Sequence, residues 1–265
     1  MGGDQYVIVS RRGPVATVKM NRPEVHNAFN EQFIAQLKAA FDELSRDDAV
    51  RVAVLRGEGR SFSAGADLGW MHRAANFSEE ENLGDARALA AMLRSISECP
   101  RPVVARVQGS AFGGGAGLVA ASDIAIAAES ALFGFTEVRL GLVPATIAPH
   151  VIEKIGAGRA LPLFLTGERF DAARALAIGL VFQVSSDDEL DSAVEMLVET
   201  LLLGGPRALG QGKRLVRMVR SGSGAEMDEE TAQLIASVRS SAEGREGVRA
   251  FLEKRRPDWA APPDG

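Results

Sequence analysis

The chain has 265 residues, of which 46% are hydrophobic, and this size predicts one large domain or a domain with a small extension. A formal net charge of −5 argues against general affinity for nucleic acid or for anionic membranes, and no apolar run of about 18 residues predicts a membrane span. One cysteine, Cys99, excludes an internal disulfide, and the N-terminus lacks the pattern of a secretory signal, so we expect a cytoplasmic protein.

The first half of the chain alternates strand and helix patterns. Runs of β-forming residues at 6–9 and 15–20 flank a turn and predict an opening hairpin. Asn30 can cap a helix whose apolar residues recur at helical spacing. Further elements are predicted as strands at 50–55, 103–107 and 124–127 and as a long helix at about 79–98. This alternation predicts an α/β fold with a parallel sheet and crossover helices.

After residue 137 the pattern becomes mostly helical. The predicted helices lie at 145–155, 158–165, 171–177, 188–203, 206–219, 227–241 and 245–255, with a short strand at 181–184. The last helices carry apolar stripes, which fit packing on a neighbouring subunit and folding back on the chain's own core equally well.

Glycine fills four of the five positions from 113 to 117, directly after a strand pattern and before a helix-compatible run. Because glycine has no side chain, the backbone here is expected to approach another group closely, and free N–H groups at a helix N-terminus favour an anionic oxygen. A P-loop is excluded, because no lysine lies between Lys38 and Lys154. The run also fits a short dinucleotide-binding pattern, but the next strand pattern begins at residue 124 and the acid at its end, Glu129, comes too early, so we discount that interpretation.

A second loop, residues 61–68, also follows a strand pattern and contains a glycine. Two such loops on adjacent strands can direct two backbone N–H groups at one oxygen, which is the geometry of an oxyanion hole. Further along, Glu137 has few polar neighbours in sequence, and burial there would raise its pKa towards that of a general acid or base. An exposed carboxylate paired with Arg139 is an equally good interpretation of the sequence.

Four short motifs follow one another along the chain. They are Asn21-Arg-Pro-Glu24 with Asn27-Ala28, Phe62-Ser-Ala-Gly-Ala-Asp67, Gly113-Gly-Gly115, and Glu137 followed by Gly141-Leu-Val-Pro144. In order and spacing they resemble the crotonase superfamily of enoyl-CoA hydratases and isomerases, from about residue 6 to residue 255. The resemblance implies a crotonase-like β/α spiral core at 1–200 and a C-terminal helical trimerisation region at 201–265. It also implies an acyl-CoA substrate, no separate cofactor, and a homotrimer or a hexamer built as a dimer of trimers.

The resemblance also implies roles for individual residues. The backbone N–H groups of Ala66 and Gly114 match the pair that binds the thioester oxygen, and Glu137 matches one of two glutamates that hydratases use to activate water. Gly117 takes the place of the other glutamate and is counted with the acyl-CoA site. Four further positions match residues that line CoA: Ala28, Ala64, Asp67 and Leu68. Phe251 and Lys254 match residues that reach the CoA of a neighbouring subunit.

Glycine at position 117 leaves the reaction open. Family members with one glutamate include isomerases that move a double bond, which would make this chain a 3,2-enoyl-CoA isomerase. The segments 64–71, 80–87, 113–118 and 143–149, however, resemble the bacterial methylglutaconyl-CoA hydratase branch, in which this glycine is part of the pattern. We therefore prefer a hydratase of the leucine-degradation type, with a non-catalytic acyl-CoA-binding scaffold as the alternative outside the enzymes.

The three histidines do not suggest a metal site. His26, His72 and His150 are far apart in sequence and match no metal-binding spacing. We predict that the protein binds no metal.

Overall fold

The structure is a computed structural model that describes residues 5–260, and it divides into two compact units. The first comprises residues 5–99 and 103–195, and the second comprises residues 100–102 and 196–260. The division falls after Glu195, within helix α8, Leu190–Leu202. The boundary predicted from the sequence, at residue 200, lies in the same helix, near its end.

The first unit is built on a six-stranded sheet in the order β1-β2-β3-β4-β6-β9. Strand β1, Val7–Arg12, pairs antiparallel with β2, Val15–Met20, which confirms the predicted hairpin. The other four strands join in parallel. Their bounds are β3, Val52–Gly57; β4, Val103–Val107; β6, Ile124–Ala128; and β9, Gln183–Ser185. The predicted parallel sheet is therefore confirmed.

A second sheet in the same unit has three short strands and is absent from the sequence prediction. Its order is β5-β7-β8, with β5 and β7 parallel and β7 and β8 antiparallel. The bounds are β5, Ser110–Phe112; β7, Leu132–Gly134; and β8, Arg169–Asp171. Strands of three residues are too short to show an alternating pattern. Buried aromatic rings hold this sheet, since Phe133 stacks on Phe170 at 5.9 Å between centroids.

Seven helices of the first unit surround the sheets. They are α1, Glu31–Arg46; α2, Leu68–Ala74; α3, Glu79–Ser97; α4, Gly114–Ala121; α5, Ala148–Ile155; α6, Ala157–Thr166; and α7, Ala172–Ile178. Asn30 caps α1 as predicted, by accepting a hydrogen bond from the Phe33 N–H at 2.8 Å. Two differences from the sequence prediction are that α2 is a separate short helix and that α5 begins at Ala148 instead of residue 145.

Helices also make up most of the second unit. After α8 these are α9, Pro206–Ser221; α10, Gly224–Ser240; and α11, Ala242–Leu252. The carboxylate of Glu246 accepts hydrogen bonds from Arg255 and Arg249, which hold its pKa well below the usual range for glutamate. The contact with Arg255 ties the middle of α11 to the residues that follow the helix.

Several large apolar side chains of the second unit are exposed. Among them are Val216, Val219, Ile235, Val248, Phe251 and Leu252. The predicted apolar stripes therefore lie partly at the surface of the unit. Across residues 5–260, no helix combines the length and the apolar character needed to cross a membrane.

Candidate active site

Loop 61–67 is held on both sides by backbone pairing. On one side, the Ser63 N–H donates to the Ser110 carbonyl and the Phe112 N–H donates to the Ser63 carbonyl, both at 3.0 Å. On the other side, the Phe29 N–H donates to the Gly65 carbonyl at 2.6 Å, as part of a parallel bridge between Phe29 and Ala66. The loop is thus an extended segment that lies between strand β5 and the residues before α1.

The bridge sets the direction of the Ala66 N–H. The Gly65 carbonyl and the Asp67 N–H both bond to Phe29, the latter at 2.9 Å. Neighbouring groups along an extended backbone point to opposite sides, so the N–H of Ala66 points away from Phe29. It donates no hydrogen bond within residues 5–260, and Ala66 is exposed. A ligand can therefore accept from this N–H.

The second donor is the first residue of helix α4. The N–H of Gly114 has no acceptor in the part of the chain that the structure describes, as is usual for the first turn of a helix. The two donors lie close together, because a Cβ placed on Gly65 would be 3.4 Å from the Gly114 nitrogen. Loop 61–67 and the start of α4 therefore form one surface, which carries the two N–H groups predicted to form an oxyanion hole.

Glu137 begins a short 3-10 helix, Glu137–Leu140, beside this surface. Its Oε1 atom lies 3.2 Å from the position that a Cβ on Gly113 would take. Its Oε2 atom is buried and accepts no hydrogen bond from the described residues. Burial raises the pKa of Glu137 above its usual value. Among residues 5–260, no ion pair joins it to Arg139, so the geometry favours the predicted acid or base over an exposed surface carboxylate.

The glycines of segment 113–117 serve two purposes. Gly113 has a φ of 50°, a conformation that favours glycine, and its missing side chain leaves room for the Glu137 carboxyl group. A Cβ on Gly115, by contrast, would overlap the carbonyl oxygen of Ser63. Here the close approach that the sequence predicts is to the protein's own backbone and not to a ligand.

Gly117 lies one helical turn after Gly113 on α4. A Cβ at this position would overlap Cγ2 of Ile147 and lie 2.9 Å from its Cβ. Ile147 is only 2% exposed and sits at the N-terminal end of α5. The space in front of Gly117 is thus filled by an apolar side chain, and a substrate contact at Gly117 stays a prediction.

The other predicted acyl-CoA residues fall into two groups. Four surround the bridge: Ala28 is buried, Ala64 is exposed, Asp67 is half-buried and Leu68 is 83% exposed. Asp67 also caps α2 through the Trp70 N–H at 3.0 Å. The other two belong to the second unit, where Phe251 is 81% exposed at the end of α11 and Lys254 has a φ of 56°.

Two residues next to the site were given no role from the sequence. Arg22 belongs to the first quoted motif, yet nothing in the sequence indicates that it is buried beside Asp67, with Nη2 3.0 Å from Oδ2. Ile147 has an apolar side chain and belongs to none of the quoted motifs, so the sequence does not point to it. Its contact with Gly117 depends on the packing of α5.

Metal-binding side chains do not cluster in this structure. Over the described residues, no group of three or more His, Cys, Asp and Glu side chains is arranged to hold a metal ion. The absence of a metal site stays a prediction.

Comparison with known proteins gives consistent matches along almost the whole chain. Residues 10–262 match the enoyl-CoA hydratase/isomerase family. The solved structure of an enoyl-CoA hydratase from Shewanella pealeana is 38% identical, with a TM-score of 0.93 and 96% of each chain covered.

Two further relatives are named for different reactions. The 2,3-dehydroadipyl-CoA hydratase of Escherichia coli is 33% identical over 96% of this chain and 98% of its own length. The trans-2-decenoyl-acyl-carrier-protein isomerase of Streptococcus mutans is 31% identical over 92% and 94%. With its crotonase fold, two neighbouring N–H donors and half-buried glutamate, the chain belongs to the enoyl-CoA hydratase/isomerase family.

Proposed function

We propose that this protein is an enoyl-CoA hydratase that adds water across the 2,3 double bond of an acyl-CoA thioester with Glu137 as its acid and base. The observation that carries the proposal is the position of the half-buried Glu137, whose buried Oε2 atom accepts no hydrogen bond from the described residues and whose Oε1 atom lies next to Gly113 at the start of α4. The free N–H groups of Ala66 and Gly114 lie on the same surface.

In the proposed reaction, the thioester oxygen accepts hydrogen bonds from the Ala66 and Gly114 N–H groups. These donors stabilise the negative charge that develops on that oxygen as water adds to C3, and one such donor typically contributes about 3 kcal/mol. Glu137 takes a proton from the attacking water and returns a proton to C2 of the enolate. The raised pKa of Glu137 supports this cycle, because it brings the carboxyl group closer to the pH at which it must both accept and donate.

For the substrate, we propose 3-methylglutaconyl-CoA or a similar short or branched enoyl-CoA. Support comes from the segments at 64–71, 80–87, 113–118 and 143–149 that resemble the methylglutaconyl-CoA hydratase branch. The 2,3-dehydroadipyl-CoA hydratase of Escherichia coli adds to that support, because its name gives it a dicarboxylic acyl-CoA substrate. The proposed CoA contacts are the residues around the bridge, Ala28, Ala64, Asp67 and Leu68. Phe251 and Lys254 would contact CoA on a neighbouring subunit.

A second candidate reaction is isomerisation of a 3-enoyl-CoA to the 2-enoyl form. The observation in its favour is that glycine occupies position 117, where the resemblance places the second hydratase glutamate, and that the apolar Ile147 fills the space beside it. Glu137 would then take a proton from C2 and deliver it to C4, and no water would be needed.

Product mass separates these reactions. We would incubate the protein with crotonyl-CoA, with 3-methylglutaconyl-CoA and with 3-hexenoyl-CoA, and use Glu137→Gln as the matched control. A hydratase adds one water to the first two substrates, and the control does not. If only 3-hexenoyl-CoA reacts, with no change in mass, the isomerase assignment replaces the hydratase. If none reacts while all bind, the protein is a non-catalytic acyl-CoA-binding scaffold.

We also propose a homotrimer, or a hexamer built from two trimers, assembled through the second unit. The exposed apolar side chains on α9, α10 and α11 support this, as does the largely apolar groove between α9 and α10. Light scattering should give the mass of a trimer or hexamer, and Ile235→Asp in that groove should lower it. A monomeric wild type would contradict the proposal.

A further inference from the structure

Arg22 lies at the centre of the contacts that shape loop 61–67. The residue is only 7% exposed, and its guanidinium group stacks over the Tyr6 ring at 4.5 Å. Its backbone is fixed as well, because the Arg22 N–H donates to Oδ1 of Asn27 at 2.9 Å. A side chain this buried and this constrained is not placed to bind a solvent-borne phosphate.

The two ends of the guanidinium group reach opposite sides of the Phe29–Ala66 bridge. Nη1 donates to the carbonyl of Ala28 at 2.5 Å, and Nη2 donates to Oδ2 of Asp67 at 3.0 Å. Ala28 and Asp67 are the direct neighbours in sequence of the two bridged residues. Arg22 therefore spans the bridge from one backbone segment to the other, beside Ala66, whose N–H has no acceptor among residues 5–260.

The chemistry of this contact requires arginine. The guanidinium group is planar and can serve two acceptors at once, whereas a lysine ammonium group is a single point charge. Burial alone would raise the pKa of Asp67, but hydrogen bonds from the Trp70 N–H and from Arg22 outweigh it and hold the pKa below the usual value. Asp67 is thus a charged acceptor that also caps α2 through Oδ1, so the same carboxylate joins Arg22 to the helix that follows the loop.

We propose that Arg22 is a positioning residue for the reaction, which sets the direction of the Ala66 N–H by clamping Ala28 and Asp67 together. This inference rests on the proposed function, in which the Ala66 N–H binds the thioester oxygen. Small displacements of such a donor are costly, since a misplacement of about 1 Å can reduce a rate by about 10²-fold.

The test uses Arg22→Lys, which keeps the charge beside Asp67, and Arg22→Met, which removes it. Arg73→Met is the matched control, because Arg73 also forms an ion pair, with Glu31 at 2.9 Å, but is largely exposed. We expect Arg22→Lys to lower kcat by about 10-fold or more and Arg22→Met by about 10²-fold, with KM changed by less than about threefold. Arg73→Met should leave both constants unchanged.

A spectroscopic measurement separates positioning from a purely structural role. When 4-(dimethylamino)cinnamoyl-CoA binds, an oxyanion hole that polarises its carbonyl group shifts the absorption band to longer wavelength. We expect this red shift with wild type and with Arg73→Met. With Arg22→Lys we expect a smaller shift, measured at a concentration of the probe that saturates the variant. If Arg22→Met does not fold, the Arg22→Lys spectrum decides.

Three outcomes would contradict the proposal. A wild type that gives no red shift overturns the oxyanion role of Ala66 and Arg22 together. A normal red shift and normal kcat in folded Arg22→Lys overturn the role of Arg22 alone. Recovery of kcat when Asp67→Asn is added to Arg22→Met would show that Arg22 only neutralises a charge, and that outcome also rejects the clamp.

Discussion

Two neighbouring backbone segments, loop 61–67 and segment 113–117, carry the proposed oxygen-binding donors, and they are held in different ways. Loop 61–67 is an extended segment fixed by bridges to Phe29 and Ala111, and its Ala66 side chain is exposed. Segment 113–117 opens a helix whose glycines are packed against other parts of the protein, such as Ser63 and Ile147. Residue 66 can therefore vary in side chain as long as its backbone is kept, whereas a Cβ at Gly114, Gly115 or Gly117 would overlap neighbouring atoms.

The largest expected effect comes from Glu137, and it tests whether this carboxyl group acts on the substrate that the two segments are proposed to bind. Glu137→Gln should lower turnover by about 10²-fold or more, because the amide is nearly isosteric but cannot accept and return a proton. Acyl-CoA affinity, measured by calorimetry, should stay near that of wild type. Turnover close to normal would show that Glu137 is not the acid and base of the reaction that the two segments are proposed to assist.

The next prediction concerns loop 61–67. Ala66→Pro removes the N–H donor and should lower kcat by about 10²-fold or more, while Ala66→Ser keeps the N–H and should be close to wild type. Circular dichroism and thermal unfolding show whether the proline variant is folded. Full activity in a folded Ala66→Pro protein would mean that this backbone does not bind the oxygen.

For segment 113–117 the expected effect is on stability. Gly117→Ala places a methyl group against buried Ile147 and should lower the free energy of unfolding by about 1–3 kcal/mol, as overpacking does. Adding Ile147→Ala should recover part of that loss in a double-mutant cycle measured with urea.

The matched control for that cycle is Gly158→Ala on α6, where an added Cβ meets no atom within 4 Å. Helix propensity predicts that this control is neutral or slightly stabilising. If Gly117→Ala changes the free energy of unfolding no more than Gly158→Ala does, Gly117 is not tightly packed against Ile147, and the contrast between the two segments is wrong.

The smallest expected effect is a pH dependence of stability at Glu137. Its pKa is raised in the folded protein, so folding favours the protonated form, and ionisation destabilises the fold as pH rises above the unfolded pKa of about 4.3. Glu137→Gln should accordingly have a higher Tm than wild type at pH 7, with the difference disappearing below about pH 4. Equal Tm values at pH 7 would mean that the carboxyl group is solvated, as in a surface residue.

The sequence predicted those parts of the fold that depend on local patterns. The hairpin, the parallel strands and the cap at Asn30 follow from alternation, apolar runs and a capping side chain, and all are present. Strands β5, β7 and β8 were missed, because three residues contain too little pattern and their pairing depends on segments far apart in sequence.

The site divides in the same way. Glu137 and the two loops could be proposed from motifs and from the resemblance to the crotonase superfamily. The clamp by Arg22 and the contact between Gly117 and Ile147 could not, since each depends on distances between residues that are well separated along the chain. Nothing in the sequence pattern around Ile147 distinguishes it from an ordinary core residue.

The two proposed oxygen-binding donors are main-chain groups, and this has a consequence for mutagenesis. Alanine scanning removes side chains, but residue 66 is already alanine, and alanine at 114 would keep the N–H while its Cβ met the Phe29 ring at 2.6 Å. A scan would therefore pass over one donor and report the other as a packing defect. Replacing the amide nitrogen of residue 66 by an ester oxygen through chemical synthesis removes the donor without the ring that Ala66→Pro adds, so the rate loss then measures the backbone N–H alone.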